Sequence, residues 1–149
     1  MPTSSGGEMP TSAERWAADT SVAVAALDAS HVSHAQCRDA VRVRRPSLSG
    51  HAAFETYAVL TRLPGQLAVD PPTASSIIGR VFPSTCWLES DASDALFARL
   101  SMIGIVGGAV YDALVGEAAR VNGCRLLTRD HRARRTYDLL GVTYEFVGQ

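Results

Sequence analysis

Short apolar runs alternate with longer segments of helical periodicity from Arg15 to the end of the chain. Runs of this length that end in polar or glycine residues are typical of buried strands, and the alternation predicts an α/β domain with a parallel sheet. The predicted strands are RWAADTS, ending at Asp19, then PSLSG, CWLES, CRLLT and VTYEFV.

The segments between these strands carry apolar residues at helical spacing. Pro64 and Gly65 end one predicted helix, Gly123 ends another, and Asp91 is a candidate N-cap. The helix in HAAFETYAVLTRL is apolar almost all round, which predicts that it is buried in the core or covered by another chain. The predicted helices are VAVAALD, HAQCRDAVRV, HAAFETYAVLTRL, PPTASSIIGRVF, residues 92–102, AVYDALVGEAARVN and HRARRTYDLLG.

Residues 1–14 differ from the rest of the chain because they are rich in Ser, Thr, Gly and Pro, and they are predicted to be a disordered leader. The remaining residues, 15–149, are expected to form a single domain. A chain of 149 residues that is 46% hydrophobic can bury one ordinary core but has no room for two.

The basic residues exclude several functional classes, because all 14 are arginine and the chain contains no lysine. Walker-A NTPases, receiver domains and Schiff-base enzymes each require a lysine. A net charge of −1 gives no global attraction to nucleic acid, so such a partner must be recognised by local patches.

Cys37, Cys86 and Cys124 are expected to be reduced. The chain shows no signal peptide and no apolar run of about 18 residues, so the protein is expected to be cytoplasmic.

Four acidic residues fall at positions where a carboxylate is unexpected. Asp19 and Asp130 follow predicted parallel strands at the carboxyl edge of the sheet, where α/β proteins bind ligands. Asp112 lies on the apolar face of its helix, and Glu55 is surrounded by apolar residues on its own helix. Glu117, by contrast, has Arg120 three residues on and is interpreted as an ordinary solvated pair.

Inward carboxylates of this kind require a cation. Two such charges about 4 Å apart repel by roughly 4 kcal/mol at an effective dielectric constant near 20. Oxygen ligands favour Mg²⁺ or Mn²⁺ over zinc, and such sites are suited to phosphodiester hydrolysis by a metal-activated water. His31 and His34 are three residues apart but have no further ligands in a fitting pattern, so they are not expected to bind metal.

Four motifs in order, ADTSV, FETYAVLTRL, YDALVGEAA and LLTRD followed by YDLLGV, resemble the PIN-domain ribonucleases, specifically the VapC toxins of toxin–antitoxin pairs. The resemblance runs from Ala17 to Phe146. It implies a PIN-like fold with a parallel sheet in the order 3-2-1-4-5 flanked by helices, a homodimer and a cognate VapB-type antitoxin. It also implies the catalytic set Asp19, Glu55, Asp112 and Asp130, in which Asp19, Asp112 and Asp130 bind the metal.

The arginines around Asp130 in LLTRDHRARR are expected to meet the RNA polyanion at an otherwise repulsive acidic pocket. Arg42, Arg44 and Arg45 are expected on the far side of the same pocket. The substrate-binding candidates are Thr20, Thr128, Arg129 and Arg132. The sequence therefore predicts a Mg²⁺-dependent endoribonuclease toxin, and the alternative is a non-catalytic PIN-fold module that binds RNA or a protein.

Overall fold

Five parallel strands form one sheet in the order β3-β2-β1-β4-β5 in the computed structural model, which describes residues 14–148. This is the predicted α/β fold with the predicted 3-2-1-4-5 order. The strands are β1 (Arg15–Ala18), β2 (Ser47–Ser49), β3 (Thr85–Cys86), β4 (Cys124–Thr128) and β5 (Tyr144–Phe146).

Within residues 14–148, seven α-helices flank the sheet. They are α1 (Thr20–Leu27), α2 (His34–Arg44), α3 (Ala52–Thr61), α4 (Pro71–Val81), α5 (Ser90–Ile103), α6 (Ala109–Val121) and α7 (Arg134–Leu140), and two 3₁₀ turns occupy Gly65–Leu67 and His131–Ala133. No helix within residues 14–148 is both long enough and apolar enough to cross a membrane.

Strand β4 illustrates why the sheet is buried on both faces. Successive side chains of a strand point to opposite faces, so Leu126 packs into the core beneath α5, α6 and α7, while Leu127 packs into the core beneath α1 and α2. Both leucines are almost completely buried. Burial of a leucine side chain contributes roughly 1.5–3 kcal/mol, so both helical layers are fixed to this central strand.

The order of the strands reverses between β1 and β4. Ala17 pairs with Ser47 of β2 on one side and with Leu126 of β4 on the other. From β1 the chain builds the sheet outward through β2 and β3, and it then returns to add β4 and β5 on the other side. Such a reversal opens a crevice at the carboxyl ends of the two central strands.

The structure corrects three details of the sequence prediction. The third strand is Thr85–Cys86 rather than CWLES, and α5 begins at Ser90, so its N-cap is Glu89 and not Asp91. Glu117 is only 2% exposed, because α5 packs over α6. Its predicted partner Arg120 does bind it, through two hydrogen bonds of 2.8 and 2.7 Å.

The predicted leader, residues 1–14, lies outside the described residues except for Glu14, which contacts Arg125 at 3.2 Å. The three cysteines are free, as predicted, and all three are buried.

Candidate active site

Four carboxylates meet at the crevice between β1 and β4. Asp19 follows β1, Asp130 follows β4, Glu55 lies in the first turn of α3, and Asp112 lies in the first turn of α6. All four line a single cavity of about 320 Å³, the acid cavity. Its remaining lining residues are Thr20, Ser21, Val115, Arg132 and Tyr137.

Asp19 is the most firmly held of the four acids and is only 3% exposed. It is the N-cap of α1, because its Oδ1 accepts hydrogen bonds from the Val22 N–H (3.1 Å) and the Ser21 hydroxyl (2.6 Å). The Tyr137 hydroxyl donates to its Oδ2 at 3.1 Å. Burial raises the pKa of Asp19, and these hydrogen bonds oppose the rise.

The start of α1 is also joined to the end of β4. The Ser21 hydroxyl accepts a hydrogen bond from the Arg129 N–H at 2.8 Å, and the Thr128 hydroxyl accepts one from the Asp130 N–H at 3.0 Å. Thr128 is fully buried and lies beneath the cavity, so it positions Asp130 without lining the site.

Glu55 is oriented by a threonine on a different helix. The Thr20 hydroxyl donates to Glu55 Oε1 at 2.7 Å and so joins α1 to α3 across the cavity. Thr20 was predicted as a neighbouring hydroxyl that contacts substrate, and in the structure its partner is a carboxylate.

The pKa of Asp112 is raised by burial and by the excess of negative charge in the cavity. Burial raises the pKa of this carboxyl to about 6, and the neighbouring carboxylates of Asp130, Glu55 and Asp19 contribute to the rise. Arg132 acts in the opposite direction. Because this rise comes partly from like charges, a bound cation would relieve it.

Arg132 is the one basic residue among the described residues that line the acid cavity. Its backbone N–H donates to Asp130 Oδ1 at 3.0 Å, while its Nε lies 3.6 Å from the same oxygen. The side chain is 94% exposed. An exposed ion pair of this kind is weak, at roughly 0–1 kcal/mol, so the guanidinium is free to contact a ligand.

The donor chemistry of the cavity suits a hard divalent cation. Within residues 14–148, no three or more His, Cys, Asp or Glu side chains are arranged to enclose one ion together. Mg²⁺, however, is usually held by one or two carboxylates and completes its shell with water and substrate phosphate. An all-oxygen cavity with excess negative charge fits this pattern, and direct binding by Asp19, Asp112 and Asp130 stays a prediction.

The predicted arginines divide between two regions. Arg129 does not line the acid cavity, because its guanidinium donates to the Val147 carbonyl at 2.8 Å. The prediction that Arg42, Arg44 and Arg45 face the same pocket is wrong. They end α2 just before β2 begins and therefore lie at the amino edge of the sheet, opposite the acids.

Sequence reasoning missed Ser21 and Tyr137 as site residues. Ser21 lies two residues after the N-cap Asp19, where a hydroxyl can return to the capping carboxylate. Tyr137 is buried on α7, and burial and the nearby Asp19 carboxylate raise the pKa of its hydroxyl, so it stays protonated and donates. The sequence signal that could have identified Tyr137 is a single tyrosine on the apolar face of its helix.

The chain is similar to known proteins over most of its length. The PIN domain family profile matches residues 17–139. Ribonuclease VapC27 of Mycobacterium tuberculosis (strain ATCC 25618 / H37Rv) is 43% identical over 126 residues, which cover 85% of this chain and 92% of that protein. Ribonuclease VapC40 of Mycobacterium tuberculosis (strain CDC 1551 / Oshkosh) is 41% identical over 133 residues, which cover 88% of this chain and 98% of that protein.

A parallel sheet in this order, with four carboxylates at its switch point, defines an α/β protein built around an acidic, cation-attracting pocket. The match over residues 17–139 and the identities above 40% specify the family further. The chain belongs to the PIN-domain family, among its VapC members.

Proposed function

We propose that the protein is a Mg²⁺-dependent endoribonuclease toxin, in which Mn²⁺ can substitute for Mg²⁺. The observation that carries this proposal is the convergence of four carboxylates from four separate elements on one cavity. Buried like charges oppose folding, so the arrangement is understandable as a cation site rather than as a source of stability. The VapC relatives are named ribonucleases, and this supports RNA as the substrate.

Asp19, Asp112 and Asp130 would hold the ion. When bound, Mg²⁺ supplies an activated water and stabilises charge on the attacking and leaving oxygens of a phosphodiester. The protein keeps its carboxylates in place through Ser21 and Tyr137, which fix both oxygens of Asp19.

Glu55 is placed to handle a proton. The Thr20 hydroxyl holds its Oε1 at 2.7 Å, and Glu55 lines the acid cavity. A carboxylate in this position can accept the proton of an attacking water and orient that water toward phosphorus. Arg132, exposed at the cavity rim, is positioned to contact the non-bridging oxygens of the phosphate. The products would carry 5′-phosphate and 3′-hydroxyl ends.

Metal dependence is the direct test. Purified protein incubated with total RNA and Mg²⁺ is expected to cut internally, to stop cutting in excess EDTA, and to resume when Mg²⁺ or Mn²⁺ is restored. Mapping of the new ends should find 5′-phosphates. Metal-independent cleavage would exclude this mechanism, and tight RNA binding without any cleavage would favour the alternative of a non-catalytic RNA- or protein-binding module.

A cognate VapB-type antitoxin is the proposed inhibitor, and an apolar groove between α3 and α4 is its proposed binding site. The groove has a volume of about 530 Å³, and Tyr57 of α3 is 38% exposed on its wall. Grooves of this kind accept a helix or extended segment through aliphatic or aromatic anchors. The groove is lined by Ala53, Phe54, Tyr57, Ser75, Ile78, Gly79, Phe82, Pro83 and Thr85.

The substitution Tyr57→Ala tests this groove. It is expected to weaken binding of the co-expressed antitoxin by at least about tenfold, because truncation of a central aromatic side chain is typically costly at an interface. Leu139→Ala is the matched control, since Leu139 is 39% exposed but lies on α7, away from the groove. Equal affinities of the two variants in a calorimetric titration would place the antitoxin elsewhere.

A homodimer is proposed on separate grounds. Three large apolar side chains on α5 and in the turn that follows it are mostly exposed to solvent. They are Phe97 (80% exposed), Met102 (81%) and Val106 (74%). Exposed apolar residues in such density are unusual on a monomer surface.

The cytoplasm is the proposed location, and the three free, buried cysteines agree with a reducing compartment.

A further inference from the structure

A shallow groove adjoins the acid cavity, and the residues that line this groove alone have no role in the reaction proposed above. Its volume is about 370 Å³, and it shares Thr20, Ser21, Asp130 and Arg132 with the acid cavity, so the two form one continuous channel. Beyond the shared residues, this adjacent groove is lined by Val24, His31, Val59 and Arg129.

His31 lines the adjacent groove from a loop that is held by several hydrogen bonds. The Asp28 carboxylate accepts hydrogen bonds from the Ser30 N–H (3.0 Å) and the Ser30 hydroxyl (2.6 Å). The His31 N–H donates to the Asp28 carbonyl at 2.9 Å, and the His31 carbonyl accepts from the His34 N–H at 3.0 Å. The backbone of His31 is therefore held in place before any ligand binds.

The hydrogen bonds of His31 also determine which ring nitrogen can act on a ligand. Nδ1 accepts the Ser33 N–H at 3.0 Å, so in the neutral ring the proton is on Nε2. Among the described residues, Nε2 has no hydrogen-bond partner. The ring thus presents an N–H donor in a groove that is also lined by Arg132, whose side chain is exposed.

We propose that the adjacent groove binds the phosphodiester group next to the one that is cut, and that the His31 Nε2–H donates to a non-bridging oxygen of that phosphate. This inference rests on the proposed function. The groove suits a phosphate group because it offers a donor at His31 Nε2 and the exposed guanidinium of Arg132, and because Asp130 is the one acid among its lining residues. His31 is a positioning residue: it holds the strand in register with the acid cavity and takes no part in bond breaking.

Two amide substitutions separate this role from a structural one. In His31→Asn, the side-chain oxygen takes the place of Nδ1 and can still accept the Ser33 N–H, as asparagine does in an Asx-turn, but the donor at Nε2 is lost. In His31→Gln, the longer side chain carries its amide donor to the region of Nε2, while the Nδ1 acceptor is lost. If His31 binds substrate, His31→Gln should therefore retain its function. If His31 only holds the loop, His31→Asn should retain it.

The experiment measures kcat and KM on an RNA oligonucleotide that has several nucleotides on each side of a mapped cleavage site. His31→Ala and His31→Asn are expected to raise KM about tenfold with kcat changed less than twofold, and His31→Gln is expected to recover most of the affinity. His34→Ala is the control, because His34 Nδ1 contacts the Ala25 carbonyl at 2.9 Å and the residue does not line the groove.

The possible results are distinguishable. Full activity of His31→Asn together with loss of activity in His31→Gln would assign His31 to the loop and overturn the proposal, as would unchanged KM in all three variants. If the wild-type protein does not cleave RNA, the proposed function itself fails. RNA binding, measured by fluorescence anisotropy with the same variants, then still tests the groove, because His31→Asn should bind more weakly than His31→Gln.

Discussion

RNA cleavage is expected to fall on the order of 10³-fold when Asp112 is replaced by asparagine, with little change in the affinity for RNA. The substitution keeps the shape of the side chain but removes a carboxylate that would bind the metal directly, and electrostatic stabilisation of the reacting phosphate is then lost. Asp112 is preferable to Asp19 for this test, because Asp19 is also the N-cap of α1. Initial rates at saturating Mg²⁺ provide the measurement, and wild-type rates in the variant would remove Asp112 from the site.

The same variant should be more stable than the wild type in the absence of metal, and the difference should depend on pH. The folded-state pKa of Asp112, about 6, lies above its ordinary value of 3.8, so the folded protein holds the proton more tightly than the unfolded chain does. Ionisation therefore costs stability as the pH rises from about 4 to about 6. Discounted for partial exposure, the gain from Asp112→Asn at pH 7.5 is roughly 1–2 kcal/mol.

Urea denaturation in EDTA at pH 4 and at pH 7.5 measures this difference. At pH 4 the carboxyl of Asp112 is neutral in the folded state, so most of the advantage of the variant should disappear. A stability gain of equal size at both pH values would mean that ionisation of the buried Asp112 carboxyl is not its cause.

Gly116→Ala is expected to destabilise the protein by roughly 1–3 kcal/mol, although alanine is the better helix former by about 1 kcal/mol. A Cβ at this position would lie 2.9 Å from Tyr137 Cδ1 and 3.0 Å from Val142 Cγ2. The Tyr137 ring is 1% exposed and its hydroxyl is bound to Asp19, so it cannot move aside without cost. Cleavage should fall as well, because displacement of Tyr137 frees one oxygen of Asp19.

Gly79→Ala is the matched control, since it lies within α4 and a Cβ there would meet nothing within 4 Å. This change should stabilise the protein by roughly 0.5–1 kcal/mol through helix propensity alone. Chemical denaturation of both variants gives the comparison. Similar stabilities for the two would show that the space beside Gly116 can adapt.

The central features of the fold were predictable because they depend on local pattern. Buried strands such as CRLLT and amphipathic helices are visible in the sequence, and the ends of β1 and β4 located Asp19 and Asp130 correctly. The short strand β3 was misplaced by a few residues, because two residues of edge strand leave almost no periodicity to recognise. The 3-2-1-4-5 order was implied by the family resemblance rather than by the pattern.

The wrong predictions for the arginines before β2 and for Glu117 have different causes. Arg42, Arg44 and Arg45 directly precede β2, and residues that precede a strand of a parallel sheet lie at its amino edge, so the predicted parallel sheet already excluded them from the carboxyl edge where the acids lie. Glu117 looks solvated on its own helix. It is buried only because α5 covers α6, where Arg99, at 3.5 Å, joins Arg120 in neutralising it.

The pairing of β1 with β4 determines when the acid cavity can form during translation. Asp19 and Asp130 come from distant parts of the chain, and the hydrogen bond from the Arg129 N–H to Ser21 that joins their elements spans 108 residues. A nascent chain on the ribosome can form β1, α1 and β2 early, but the acid cavity cannot close until β4 has emerged and inserted beside β1. The growing polypeptide therefore carries an incomplete acid cavity for most of its translation.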